Sequence, residues 1–161
     1  MRTMFIALLC LVLLSFVSCD QDGGSDLNPT QEKIKLLLDE LRLADDEVRT
    51  AYQANNSYPD GFNRTEEGTT ITRTYTAYEN AHHTIITGTD TFVGNPPPSM
   101  LDNTGSMNMT FKDGAVGTET TFILKMTFPK QGPPVCTECK LDGSTVTNDA
   151  AEMEFSEPSN P

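Results

Sequence analysis

Thr121-Phe122-Ile123-Leu124-Lys125-Met126-Thr127-Phe128 is the stretch on which the fold turns. Phe122, Leu124, Met126 and Phe128 fall on one parity, and Thr121, Lys125 and Thr127 on the other. Successive strand side chains point to opposite faces, so this pattern is a strand with one buried face. Met107, Met109 and Phe111 alternate with Asn108, Thr110 and Lys112 in the same way just upstream, and Asp113-Gly114 marks the turn after them. Further back, Thr84 to Val93 carries Ile85, Ile86, Phe92 and Val93. Thr69 to Tyr78 is Thr-rich, with Ile71, Tyr75 and Ala77 on one parity. Both read as strands. Ala151 to Phe155 reads as a weaker last strand, and the tail 156–161 as disordered.

The period changes from two to 3.6 before Tyr58-Pro59-Asp60-Gly61, a turn signature. Ile34, Leu37, Leu38, Leu41, Val48 and Tyr52 repeat at helical spacing. Lys33, Lys35, Asp39, Glu40, Asp46 and Glu47 take the opposite face, and Asp45 and Arg49 are spaced for an ion pair. Asn28 is placed to cap this helix, Pro29 to occupy its first position and Gln31 to reach back, with an end near Ala54-Asn55. The expectation is an α+β domain over 30–155. One N-terminal amphipathic helix packs on an antiparallel sheet of about five strands.

The first 18 residues stand apart. Arg2 precedes an almost unbroken apolar run from Met4 to Val17, shorter than the ~20 residues of a spanning helix. The run ends at Phe16-Val17-Ser18-Cys19. This resembles a bacterial lipoprotein signal, in which small residues precede a cysteine that becomes the first residue of the mature chain. Phe16 stands where Leu is usual. The resemblance implies that 1–18 is a signal peptide, that Cys19 is acylated, and that the partner of the protein is a membrane reached through that lipid. Two or more acyl chains make a stable anchor, at ~0.8 kcal/mol per buried CH2. Residues 19–29 then form a flexible acidic tether rich in Asp, Gly and Ser. An acidic stretch after the lipidated Cys is similar to that of many Bacteroidota surface lipoproteins. Asp directly after the Cys resembles, in enterobacteria, an inner-membrane retention signal. The cell envelope is the expected location, with the outer membrane or cell surface placed ahead of the inner membrane.

Charge agrees with attachment by lipid alone. The 161 residues carry 11 basic and 23 acidic side chains, a net of −12. Loss of 1–18 removes only Arg2 and leaves −13. Such a body is repelled by anionic membrane surfaces and by phosphate backbones, so no nucleic-acid partner is expected.

Cys136-Thr137-Glu138-Cys139 is the one motif with intrinsic chemistry. Gly132-Pro133-Pro134-Val135 before it and Asp142-Gly143 after it suggest a loop entering a turn, not the helix N-terminus that lowers a thiol pKa in redox pairs. With Cys10 removed and Cys19 acylated, these two remain as an even pair, which reads as a structural disulfide in an oxidising compartment. A redox pair or a metal site are the other readings, and a zinc site needs two further ligands. His82 and His83 lie near the start of a strand and read as half-exposed polar residues, with a ligand or a pH switch as the other reading. Asp45-Asp46 and Glu66-Glu67 read as solvated surface. No GxSxG, HExxH, P-loop, GxGxxG or calcium-loop motif is present, so no enzyme activity, metal or cofactor is expected. Three functions compete. The first is a lipid-anchored, non-enzymatic binding or structural module. The second is a carrier whose Met107, Met109, Leu124 and Met126 line an apolar cavity. The third is a thiol-disulfide protein.

Overall fold

The structure, a computed structural model, describes residues 27–96 and 98–146. Helix α1 spans Pro29–Asn55, and seven strands follow it: β1 Phe62–Glu67, β2 Thr70–Glu79, β3 Ile85–Val93, β4 Asn103–Asp113, β5 Gly117–Phe128, β6 Val135–Leu141 and β7 Ser144–Thr145. They form one sheet in chain order, and every neighbouring pair is antiparallel. The α+β class stands, with one helix on an antiparallel sheet. Among the described residues the strand count is seven, where about five were expected. The expected strand 151–155, like Cys19 and the leader, lies outside the described residues.

The helix begins as its sequence dictates. The Asn28 side chain accepts the Thr30 and Gln31 N–H groups at 3.0 Å, and the Gln31 side chain accepts the Asn28 N–H at 2.9 Å. It ends at Asn56, whose left-handed backbone lets its N–H reach the Tyr52 carbonyl at 2.8 Å. Ile34, Leu37, Leu38, Leu41, Ala44 and Val48 press onto Tyr75, Tyr78, Ile86, Met107, Met109, Phe111, Phe122 and Cys139 from the sheet. Each large side chain buried there contributes ~1.5–3 kcal/mol by removal from water. Glu40, expected on the outer face, is 2% exposed.

Two irregularities re-aim side chains. β2 bulges between Tyr75 and Tyr78, which puts Thr76 and Ala77 in the bulge and exposes them, so Ala77 leaves the parity of Ile71 and Tyr75. Across from it, Gly88 has φ +149°, and a Cβ there would sit 2.2 Å from the Asn108 carbonyl oxygen. Only glycine lets β3 approach β4 so closely. The second irregularity is in β6, where Met126 faces Cys136 and Leu124 faces Cys139. The extra residue turns two cysteines three apart onto one face of the strand.

The face of the sheet away from this core is hydroxyl-rich. Thr65, Thr72, Thr91 and Ser106 form one cross-strand row, and Thr87, Thr110 and Thr121 another.

Candidate functional site

The C-terminal half of α1 and the strands β1–β3 enclose a cleft of about 500 Å³. One wall is the helix, with Asp46, Arg49 and Tyr52. The other is β1, with Phe62, Arg64 and Glu66, and Ile71 of β2. Phe92 and Arg73 also line it. The volume lies within the ~300–1,000 Å³ of ligand pockets.

Beside it lies a buried charge cluster. Arg73 on β2 donates Nε–H to both Asp90 carboxylate oxygens at 2.9 and 3.0 Å, and Nη1 to Asp45 Oδ2 at 2.6 Å. Tyr75 donates its hydroxyl to the other Asp45 oxygen. Two carboxylates share one guanidinium, so the cluster carries one net negative charge. Burial raises the Asp90 carboxyl, and the opposing pull of Arg73 does not fully cancel it. Burial lowers the Arg73 pKa, but Asp45 and Asp90 outweigh that and hold it well above the ordinary guanidinium value. Burial and the neighbouring Asp45 push the Tyr75 hydroxyl far up. Desolvating these charges costs several kcal/mol per ion, offset only by mutual attraction and complete hydrogen bonding. Among the described residues no buried polar side-chain atom lacks a partner.

An aromatic chain supports the cleft. Tyr52 stacks on Tyr58 at 4.6 Å, Tyr58 meets Phe62 edge-on at 5.1 Å, and Phe62 meets Tyr75 edge-on at 5.0 Å. Edge-to-face and offset contacts of this kind are favourable by ~0.5–1.5 kcal/mol each. Tyr52, expected to close the apolar stripe of the helix, is instead 41% exposed at the cleft mouth. The expected Asp45–Arg49 pair does not form. Asp45 is taken into the interior by Arg73, and Arg49 turns to Asp46 at 2.6 Å. Asp45 is thus half-buried, and only Asp46 of the Asp45-Asp46 pair is surface.

The histidines fall in the turn before β3. His82 Nδ1 lies 2.8 Å from Glu40 Oε1, and His83 Nδ1 lies 2.7 Å from Glu79. Asn80 donates its side-chain amide to Glu40 at 2.8 Å, and its oxygen accepts the His82 and Thr84 N–H groups. Burial alone would raise the Glu40 carboxyl. Hydrogen bonds from His82, Asn80 and Thr84 outweigh it and hold the pKa below the usual carboxylate value. This cluster ties the β2–β3 turn to the middle of the helix.

Cys136 and Cys139 lie on strand β6 and not in a loop, and both are free thiols. The bulge aims them at the face shared with Met126 and Leu124. Burial pushes the Cys136 thiol up and the Cys139 thiol up to about 11, with Cys136 adding to the second. A nucleophilic redox cysteine needs the opposite shift. Met107, Leu124 and Met126 line a cavity of about 50 Å³, while Met109 is fully buried in the core. No group of three or more His, Cys, Asp or Glu side chains converges on a metal-sized point among the described residues. No helix among them is long and apolar enough to cross a membrane.

Sequence reasoning missed the cleft because β1, its second wall, carries no apolar alternation and so was not read as a strand facing the helix. A cluster of aromatics and arginines at Arg49, Tyr52, Tyr58, Phe62 and Arg64, spanning the helix end and the turn, was the available signal. No protein-family model matches the chain, and neither the curated proteins nor the solved structures compared with it contain a match.

Proposed function

We propose that the chain is a lipid-anchored protein of the bacterial envelope, a non-enzymatic binding module whose ligand site is the cleft between α1 and β1–β3. The cleft carries this reading: a cavity of about 500 Å³ with an exposed Tyr52 at its mouth and polar pairs on both walls. The apolar run ending at Cys19 and the acidic stretch after it support anchoring. The helix starts at Pro29, just after that tether, and the cleft wall begins at Asp45. At 1.5 Å per residue the helix carries the cleft roughly 25–35 Å from the tether. A ligand site so placed faces away from the bilayer.

The arrangement favours binding over catalysis. The carboxylates of the cleft are engaged by arginine, and neither thiol is activated. The apolar-carrier reading has less support, because the methionine-lined cavity of about 50 Å³ holds on the order of a water or two and no acyl chain. Closure of a Cys136–Cys139 disulfide in an oxidising compartment remains part of the proposal, since the bulge sets both sulfurs on one face.

Metabolic labelling with palmitate in the native host tests the anchor. Label on the wild-type chain, none on Cys19→Ala, and release of that variant into the soluble fraction are expected. A variant that stays in the membrane fraction removes the anchor. A screen of small molecules and oligomers for perturbation of the Tyr52 environment tests the cleft.

A further inference from the structure

Six charged side chains line the cleft, and their sum is zero, with Asp90 behind Arg73 adding one negative charge. Asp45, Asp46 and Glu66 face Arg49, Arg64 and Arg73. This is unusual in a chain of net −12. The chain has only five arginines, one of them in the leader, and three line this one cavity. No lysine lines it.

The charges are also arranged in pairs, one on each wall. Arg49 binds Asp46 on the helix side, and Arg64 binds Glu66 on the strand side. Asp46, Arg49 and Glu66 are more than half exposed, so both pairs meet solvent at the rim. Each pair offers donors from a planar guanidinium and acceptors from a carboxylate at adjacent positions. On the helix wall, Tyr52 presents a ring whose position is fixed by stacking on Tyr58, which leans in turn on Phe62.

These features select a ligand class. An anion meets three carboxylates and the negative field of the whole chain. A cation meets the Arg49 and Arg64 guanidinium groups of the rim pairs. A wholly apolar ligand gains contact with Val48, Phe62, Ile71 and Phe92 but strips water from the exposed Asp46–Arg49 and Arg64–Glu66 pairs at the rim. An uncharged heterocyclic base can stack on Tyr52, but each of its edge atoms is fixed as donor or acceptor, whereas the two pairs offer donors and acceptors side by side. A sugar ring carries hydroxyls around its rim, each both donor and acceptor, and a C–H face that stacks on an aromatic ring. Vicinal hydroxyls match the fork spacing of guanidinium and carboxylate alike. Building on the cleft as the binding site, we infer that it takes an uncharged sugar ring of an oligosaccharide, stacked on Tyr52 and held by the Asp46–Arg49 and Arg64–Glu66 pairs.

The test uses the full processed chain purified in detergent. Calorimetry and tyrosine fluorescence are recorded with maltohexaose, cellohexaose, xylohexaose and N-acetylchitohexaose as neutral probes. Hexagalacturonate, chitosan hexamer and the four nucleosides serve as controls. At least one neutral hexasaccharide binds and perturbs tyrosine emission. Tyr52→Ala weakens it at least ~10-fold, and Tyr52→Phe stays within ~2-fold because the ring face is kept. Tyr52 is exposed, so circular dichroism of both variants should match wild type. Arg64→Gln together with Arg49→Gln weakens binding further without creating affinity for hexagalacturonate. If only a charged hexamer or a nucleoside binds, and that binding depends on Tyr52, the sugar assignment is overturned and the cleft as a binding site survives. If a neutral hexasaccharide binds with Tyr52→Ala unchanged, or if no probe binds, the cleft assignment falls with it.

Discussion

Asp45 and Arg73, 28 residues apart in the chain, meet beside the cleft with Nη1 2.6 Å from Oδ2. One sits on the helix and the other on β2, so this contact fixes how the helix lies across the sheet. Asp90 on β3 grips the same guanidinium from the other side, and Tyr75 holds the second Asp45 oxygen. The cleft wall is therefore positioned by a desolvated network, where geometry is strict.

Breaking that network is expected to be costly. Arg73→Met leaves the buried Asp90 and the half-buried Asp45 without their cation, and a loss of ~3–5 kcal/mol follows. Arg73→Lys keeps the charge but cannot span Asp45 and Asp90 with a planar fork, so its loss is smaller, ~1–3 kcal/mol. Urea unfolding followed by circular dichroism separates the two. Equal stability of Arg73→Met and wild type would contradict the role assigned to Asp45.

Acid should destabilise the fold through Glu40. Its folded pKa lies below the ordinary value of 4.5 because the His82, Asn80 and Thr84 hydrogen bonds outweigh burial. The stabilisation is complete above the unfolded pKa and disappears as pH falls through the folded one. Asp90 works the other way, since its folded pKa is raised, so its protonation offsets part of the loss. Urea midpoints measured from pH 7 down to pH 3 should fall at the acid end, and Glu40→Gln should flatten that fall. An unchanged slope in Glu40→Gln would remove Glu40 as its source.

Gly88 and Gly68 offer a matched comparison. A Cβ at Gly88 would lie 2.2 Å from the Asn108 oxygen and 2.8 Å from Met109 Cα, both backbone atoms. At Gly68, φ is +61° and nothing lies within 4 Å. Gly68→Ala should cost only the left-handed backbone strain, ~1–2 kcal/mol. Gly88→Ala must push β3 and β4 apart and should cost ~3 kcal/mol or more. Thermal melting of the two variants decides, and similar melting temperatures would refute the close strand approach.

The two cysteines should differ in reactivity. Cys139 is 7% exposed with its thiol raised to about 11, whereas Cys136 is only partly buried. Iodoacetamide at pH 8 under reducing conditions should alkylate Cys136 at least ~10-fold faster, since the thiolate is the attacking species. Peptide mass spectrometry gives the order, and a faster Cys139 would mean that the bulge in β6 is placed differently.

The helix was legible because its signals agree at every level. Asn28 and Pro29 set the start, the leucines keep a 3.6 period, and the end near Asn55 is where the structure puts it. β5 and β4 were legible for the same reason, with a period of two. β1 was not. Its inward residues are Phe62, Arg64 and Glu66, one aromatic and two charged, so Phe62–Glu67 shows no apolar alternation. β6 was hidden by its bulge, which breaks parity between Cys136 and Cys139, and by the prolines before it. Asp45 looked like surface because its partner is far away in sequence. Ion pairs made by folding leave no local trace.

The sheet has two edges among the described residues, and neither invites another chain. β1 carries Arg64, Glu66 and Glu67, and β7 is only two residues long. Exposed strand edges template pairing between molecules, and charge and brevity suppress it. Under the lipid anchor proposed above, this matters more than in free solution. Confinement to a plane raises the rate at which copies collide edge to edge, with their sheets held at a common height. A charged margin on one side and a clipped margin on the other would let the protein be densely displayed without zippering into fibrils.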